Sequence, residues 1–158
     1  MCGIAGWLDR YEDLSEKTSI IESMSQTLEK RGPDENGVFL DRDHGVCLIH
    51  RRLIVIDPKG GIQPMTINHG QESYTLVYNG ELYNTEDLRR ELLAQGYTFQ
   101  GHSDTEVLLT AYIHWGESCV EKLNGIFAFA VWDQALHRLF VARDRIGVKP
   151  LFYYAYKG

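Results

Sequence analysis

Apolar residues recur at helical spacing over positions 15–30, where Ile20, Ile21, Met24 and Leu28 fall on one face and predict an amphipathic helix. Arg31-Gly32-Pro33-Asp34 ends it, because Pro33 cannot continue a helix and disfavours helical geometry at Gly32. Ahead of that helix, residues 2–8 are mostly apolar or glycine and predict a buried strand. Three β-rich runs follow at 37–40, 46–50 and 53–56. Pro58-Lys59-Gly60-Gly61 breaks the pattern, and 73–78 resumes it.

Asn84-Thr85-Glu86-Asp87 opens a second predicted helix, with Leu88, Leu92 and Leu93 on one face and Gly96 as its stop. Ser103-Asp104-Thr105-Glu106 fits a capping box ahead of Val107, Leu108, Ala111, Tyr112 and Trp115, the apolar face of a third helix. Residues 126–133 and 138–143 are two β runs joined through Gln134-Ala135-Leu136-His137, a predicted hairpin. There is no internal repeat. Helices grouped between sets of strands, without regular βαβ alternation, predict an α+β fold with largely antiparallel sheets.

Composition narrows the class. The 158 residues suit a single domain spanning 1–158, 44% hydrophobic and 24% charged, far from a disordered or collagen-like chain. A core of this size needs no metal or disulfide staple. The run 152–158 reads as strand, with no polar fade-out behind it, so the chain is expected to be the first domain of a longer protein. Sixteen Lys and Arg against 22 Asp and Glu give a net charge of -6, which disfavours a nucleic-acid partner. No apolar stretch approaches the ~20 residues that span a bilayer, and no secretory signal is visible. The expected setting is the cytoplasm.

Three cysteines, an odd number without C-x-x-C spacing, argue against both a disulfide framework and a zinc ribbon. Cys47 reads as a small core hydrophobe and Cys119 as a structural residue on a short helix. Cys2 is different. Removing Met1 would free an α-amine beside the Cys2 thiol, with a reference pKa of about 7.7–8.0. That amine can accept the thiol proton, so one residue would hold nucleophile and base together.

Arg52 lies between two apolar β runs and needs a partner: either a structural ion pair or a ligand carboxylate that matches its bidentate fork. Asn79-Gly80 is a strong signal for a tight hairpin turn. The same pair can also act as two donors, the Asn79 amide and the Gly80 N–H, forming an oxyanion hole with Glu81 projecting into the same space. Asp104 stands in the first turn of the third helix, where it either caps the helix or accepts from a ligand. The six histidines show no metal-ligating spacing, and no phosphate loop or G-x-G-x-x-G occurs.

Taken together, Met1-Cys2-Gly3-Ile4-Ala5-Gly6, Arg31-Gly32-Pro33-Asp34, Asn79-Gly80-Glu81-Leu82-Tyr83-Asn84, Ser103-Asp104-Thr105-Glu106 and the stretch from Ala142 through Asp144-Arg145-Ile146-Gly147 to Leu151 resemble the class II glutamine amidotransferases. The likeness covers essentially the whole chain. It is strongest to the N-terminal glutaminase domain of glutamine-hydrolysing asparagine synthetases, the branch that Arg-Gly-Pro-Asp marks. The resemblance implies an N-terminal-nucleophile hydrolase fold, a four-layer αββα sandwich of two mainly antiparallel sheets.

It also implies roles. Cys2 would attack the carboxamide of L-glutamine, with Asn79 and Gly80 holding the oxyanion. Arg52 would clasp the α-carboxylate, and Glu81 and Asp104 would accept from the α-ammonium. Glutamate and ammonia would leave through a γ-glutamyl thioester. The partner implied is a C-terminal synthetase domain of the same chain, which would use the ammonia to make asparagine from aspartate. No cofactor is expected in this domain. ATP and Mg are expected only in that synthetase domain, since no Ser-Gly-Gly loop occurs here. An acceptor other than aspartate, a glutamine-sensing module without turnover, and a homodimer remain open on the sequence.

Overall fold

Two antiparallel sheets face each other, each with helices on its outer side. A computed structural model describes residues 2–54 and 61–156. The first sheet holds β1 (Gly3–Leu8), β2 (Glu35–Asp41) and β3 (Val46–Arg52) in the order β1-β3-β2. The second holds β4 (Met65–His69), β5 (Glu72–Leu82), β6 (Gly125–Asp133) and β7 (Arg138–Arg143), in sequence order. The helices are α1 (Thr18–Thr27), α2 (Thr85–Ala94), α3 (Asp104–Trp115) and the short α4 (Cys119–Lys122).

The strand period of two sorts the side chains into three apolar layers. Along β3, Val46 and Leu48 point inward to meet Val77, Ala130 and Trp132 of the second sheet. Cys47 and Ile49 point the other way, onto Leu14 and Ile21 around α1. On β5, Leu76, Tyr78 and Leu82 pack outward against Leu88 and Leu92 of α2 and Leu108 and Leu109 of α3. The result is the four-layer αββα sandwich expected from the sequence.

Several boundaries differ from expectation. The first helix is shorter, Thr18–Thr27, preceded by a 3-10 turn over Leu14–Lys17 whose start Asp13 caps at the Ser15 N–H. β1 is half-buried with one open face, and Gly3 is its only buried residue. β3 runs on through Arg52, but Leu53 and Ile54 lie outside any strand, while 55–60, with the break at Pro58-Lys59-Gly60, falls outside the described residues. β4 was not anticipated; its Met65/Ile67 alternation is a two-residue signal, too short to stand out. Residues 152–156 are not a strand: no neighbour offers them a ladder, and Phe152, Tyr153 and Tyr154 are exposed.

The largest difference is at Asn79-Gly80. The pair is no turn. β5 continues straight through it, with Asn79 opposite Ala128 and Gly80 opposite Phe127 on β6. Turn propensity loses here to a nine-residue ladder with β6, and glycine is required for close packing. A Cβ on Gly80 would stand 2.3 Å from the Ile126 carbonyl oxygen and 2.6 Å from a Tyr78 ring carbon.

Candidate active site

Cys2 sits at the mouth of β1, one step before Gly3, which pairs with Arg51. Its Sγ is 3.8 Å from the Leu53 carbonyl oxygen. The segment Arg31-Gly32-Pro33-Asp34 holds this end of the sheet together. Arg31 Nε donates to the Cys2 carbonyl at 3.2 Å. The Asp34 N–H donates to the Arg52 carbonyl at 3.0 Å, and the Asp34 carboxylate accepts from the Ile54 N–H at 2.8 Å. Gly32 lies so close to the Arg51–Arg52 backbone that a Cβ would stand 2.3 Å from the Arg51 carbonyl oxygen. The motif thus fixes both the nucleophile candidate and the strand end that carries Arg52.

Arg52 follows Val46, Leu48 and His50 in the alternation of β3 and so faces the second sheet. It is buried, and its guanidinium donates to the Glu35 carboxylate at 2.8 Å. The ion pair weighed from the sequence is therefore present. A guanidinium has five N–H donors and can engage more than one acceptor at once.

Across from it, β4 pairs with β5 only as far as Leu76, leaving the edge of β5 beyond it for other partners. The Tyr78 N–H donates to Gln63 Oε1 at 2.6 Å, and the Tyr78 carbonyl accepts from buried His50 Nε2 at 3.2 Å. The Leu82 N–H donates to the Asp104 carboxylate at 3.2 Å. Between them, the two-residue alternation turns the Gly80 N–H to the same edge. Asn79 points the opposite way, into the space between the sheets. Asn79 is a buried residue, and among the described residues its carboxamide makes no hydrogen bond while keeping contact with solvent. An amide so placed can donate to a ligand.

The third cluster centres on Tyr78. Its phenol donates to Asp104 Oδ2 at 2.8 Å. Burial holds the phenol pKa well above its ordinary value, and the negative charges of Asp104, Glu81 and Cys2 push the same way. Of these, Asp104 is in direct contact with the hydroxyl. Asp104 is more than a helix cap. Ser103 caps α3 at the Glu106 N–H, while the Glu106 carboxylate accepts from the Gln100 and Gly101 N–H groups rather than completing a capping box. Glu81 is exposed at the mouth.

The six sequence candidates therefore collect at one end of the two sheets. Tyr78, His50, Gln63 and Arg31, which hold them, were not singled out. Their roles depend on contacts between residues far apart in the chain, and only the runs containing Tyr78 and Arg31 carried any signal. Asp144, from the last motif, shapes the loop after β7 by accepting from the N–H groups of Phe127, Val148 and Lys149 at 3.2, 2.8 and 2.9 Å. A separate cleft, lined by Met65, Ile67, His69, Tyr97 and Glu106 along β4 and α3, contains no cysteine and none of the six candidates.

The other thiols contrast with Cys2. Burial pushes Cys47 up to about 11 and Cys119 to about 12, so both stay protonated at neutral pH.

Comparison with known proteins gives the family. The family model described as a glutamine amidotransferase domain matches residues 1–158. Asparagine synthetase [glutamine-hydrolyzing] 3 of Bacillus subtilis is 55% identical over 153 residues, covering 97% of this chain and 25% of that protein. A second Bacillus subtilis asparagine synthetase is 43% identical over 155 residues, covering 97% of this chain and 24% of its own length. The chain thus spans about a quarter of these relatives. Among solved structures, the glutamine phosphoribosylpyrophosphate amidotransferase of B. subtilis superposes with a TM-score of 0.56 at 27% identity, over 69% of this chain and 25% of that one.

Proposed function

From the premise that the chain belongs to the glutamine amidotransferase domain family, with the N-terminal-nucleophile hydrolase fold, we propose that these residues hydrolyse L-glutamine to glutamate and ammonia. The observation that carries the reading is Asn79, a buried residue in mid-strand whose carboxamide makes no hydrogen bond among the described residues, next to the edge-facing Gly80 N–H.

The chemistry follows from the residues. Once Met1 is removed, the α-amine of Cys2 takes the thiol proton, and sulfur attacks the side-chain carbonyl carbon of glutamine. Negative charge develops on the carbonyl oxygen, where the Asn79 amide and the Gly80 N–H donate to it. The protonated amine passes its proton to the leaving nitrogen as the C–N bond breaks, releasing ammonia and leaving a γ-glutamyl thioester. Water, deprotonated by the same amine, adds to the thioester carbonyl; the C–S bond then breaks, glutamate leaves, and the ammonium returns its proton to the Cys2 sulfur. At the other end of the substrate, Arg52 clasps the α-carboxylate while Asp104 and Glu81 accept from the α-ammonium. An amino acid zwitterion calls for that combination of one cation and at least one anion.

In the full-length protein, the ammonia would pass to a C-terminal synthetase domain for ATP-dependent amidation of aspartate, as the relatives' names suggest. ATP and Mg belong to that part. A cytoplasmic setting suits three free cysteines. The test is glutamate release by chain freed of Met1, in competition with other amides: turnover of glutamine in preference to peptides or penicillins supports the reading. Equal turnover of amides lacking an α-amino acid end would remove the roles given to Arg52, Glu81 and Asp104.

A further inference from the structure

Far from Cys2, the turn between β2 and β3 and the turn between β6 and β7 bring two histidines together. His44 Nε2 and His137 Nε2 are 3.1 Å apart although the residues are separated by 93 positions, which is why no spacing in the sequence reveals them. The ring centroids are only 4.2 Å apart with planes at 48°, too close for rings meeting head-on along a shared N–H···N line. The two Nε2 atoms are within hydrogen-bond distance, with the rings meeting at an angle, and a small rotation of the exposed His137 ring would turn both toward one ion. Behind them, His44 Nδ1 is 3.0 Å from both carboxylate oxygens of Asp41, which fixes its proton on Nδ1 and its lone pair on Nε2. Asp41 is held in turn by the Trp132 indole N–H at 2.9 Å. His44 is half-buried and His137 exposed, so solvent reaches the pair.

We propose that His44 and His137 form a binding site for a divalent transition-metal ion of the zinc class, with Asp41 orienting His44 and water completing the coordination. Two metal–nitrogen bonds of ~2.0–2.1 Å spanning this separation enclose an angle of about 100°, close to tetrahedral. Each ring would bind the ion through an unprotonated Nε2. Among the described residues, no group of three or more His, Cys, Asp or Glu side chains is arranged to hold a metal, which makes this a two-ligand site of modest affinity. Its occupant would tie the first sheet to the second at the end opposite Cys2.

The test is a Zn²⁺ titration of the full chain carrying Cys2→Ser, which removes the competing terminal aminothiol, read by imidazole ¹⁵N shifts and by Tm. The expected result is one-to-one binding that moves the Nε2 resonances of His44 and His137 together and raises Tm. His137→Asn should weaken binding by more than about tenfold, and Asp41→Asn by about 10–100-fold. Asn tolerates the positive φ of 48° at position 137, so that variant keeps the turn. No Zn²⁺ binding by the Cys2→Ser chain, or binding that His137→Asn leaves unchanged, overturns the proposal.

Discussion

The Tyr78 phenol donates to Asp104 at 2.8 Å from the helix-facing side of the strand that carries Asn79 and Gly80, so one residue links the carboxylate proposed to bind the substrate ammonium to the strand of the proposed oxyanion donors. Tyr78→Phe leaves the ring and its packing but removes that donor. Hydrogen bonds to charged groups contribute ~1.5–3 kcal/mol, so the KM for glutamine should rise by about tenfold or more while kcat changes little. Steady-state kinetics with a Tm control checks this. A lowered Tm with unchanged KM would assign Tyr78 to the core alone.

Asn79→Ala removes one oxyanion donor without disturbing the β5–β6 backbone ladder. Loss of one such donor costs roughly 10²–10³ in turnover, and the loss should fall on kcat rather than on KM. Near-normal glutamine hydrolysis by the variant would contradict the assignment.

Gly80→Ala acts differently. The added methyl meets the Ile126 carbonyl oxygen at 2.3 Å, which backbone cannot relieve without breaking the register of β5 on β6. A destabilisation of several kcal/mol is expected, seen as a lower denaturation midpoint as well as lost activity. The contrast with a well-folded, slow Asn79→Ala separates the two donors.

Arg52→Lys keeps a charge but not the fork that engages Glu35 and is proposed to clasp the substrate carboxylate. The KM for glutamine should rise more than tenfold, with a smaller effect on kcat. Isothermal titration with glutamate, the product bearing the same α-carboxylate, should show a parallel weakening.

His50 makes stability depend on pH. Burial lowers its pKa from 6.5 to about 4, and its ring donates to the Tyr78 carbonyl. Between those values the unfolded chain binds the proton that the folded one refuses, so stability falls as pH drops from about 6.5 to 4, by up to about 3 kcal/mol. Denaturant unfolding at pH 7 and pH 4.5 should show this slope in the parent chain and a smaller one in His50→Gln.

The elements were legible because α1 has a clean helical spacing and β3 and β5 are β-rich runs, whereas the four layers came from the family resemblance, since β3 is buried on both faces and its apolar run shows no alternation. The chemistry-bearing residue types at the site were legible for a related reason: Cys2 next to a removable Met and Arg52 among apolar neighbours are chemically conspicuous. Asn79-Gly80 misleads on local propensity, because a turn signal says nothing of the long ladder that β6 supplies. Tyr78, His50 and Gln63 were hidden, since each acts through a backbone group brought near by folding rather than by sequence. The run 152–156 shows the converse, a strand-like composition without a neighbouring strand to pair with.

The central claim is that Cys2, with its amine freed, acts on a glutamine held by its charged end. Chain lacking Met1 should be incubated with an electrophilic glutamine analogue that retains the α-amino and α-carboxyl groups, then examined by intact mass and N-terminal peptide mapping. The account predicts a single adduct on Cys2, blocked by excess glutamine and absent when Met1 is retained, with buried Cys47 and Cys119 untouched. An unmodified Cys2 in fully processed chain, or equal labelling with Met1 still in place, would contradict it.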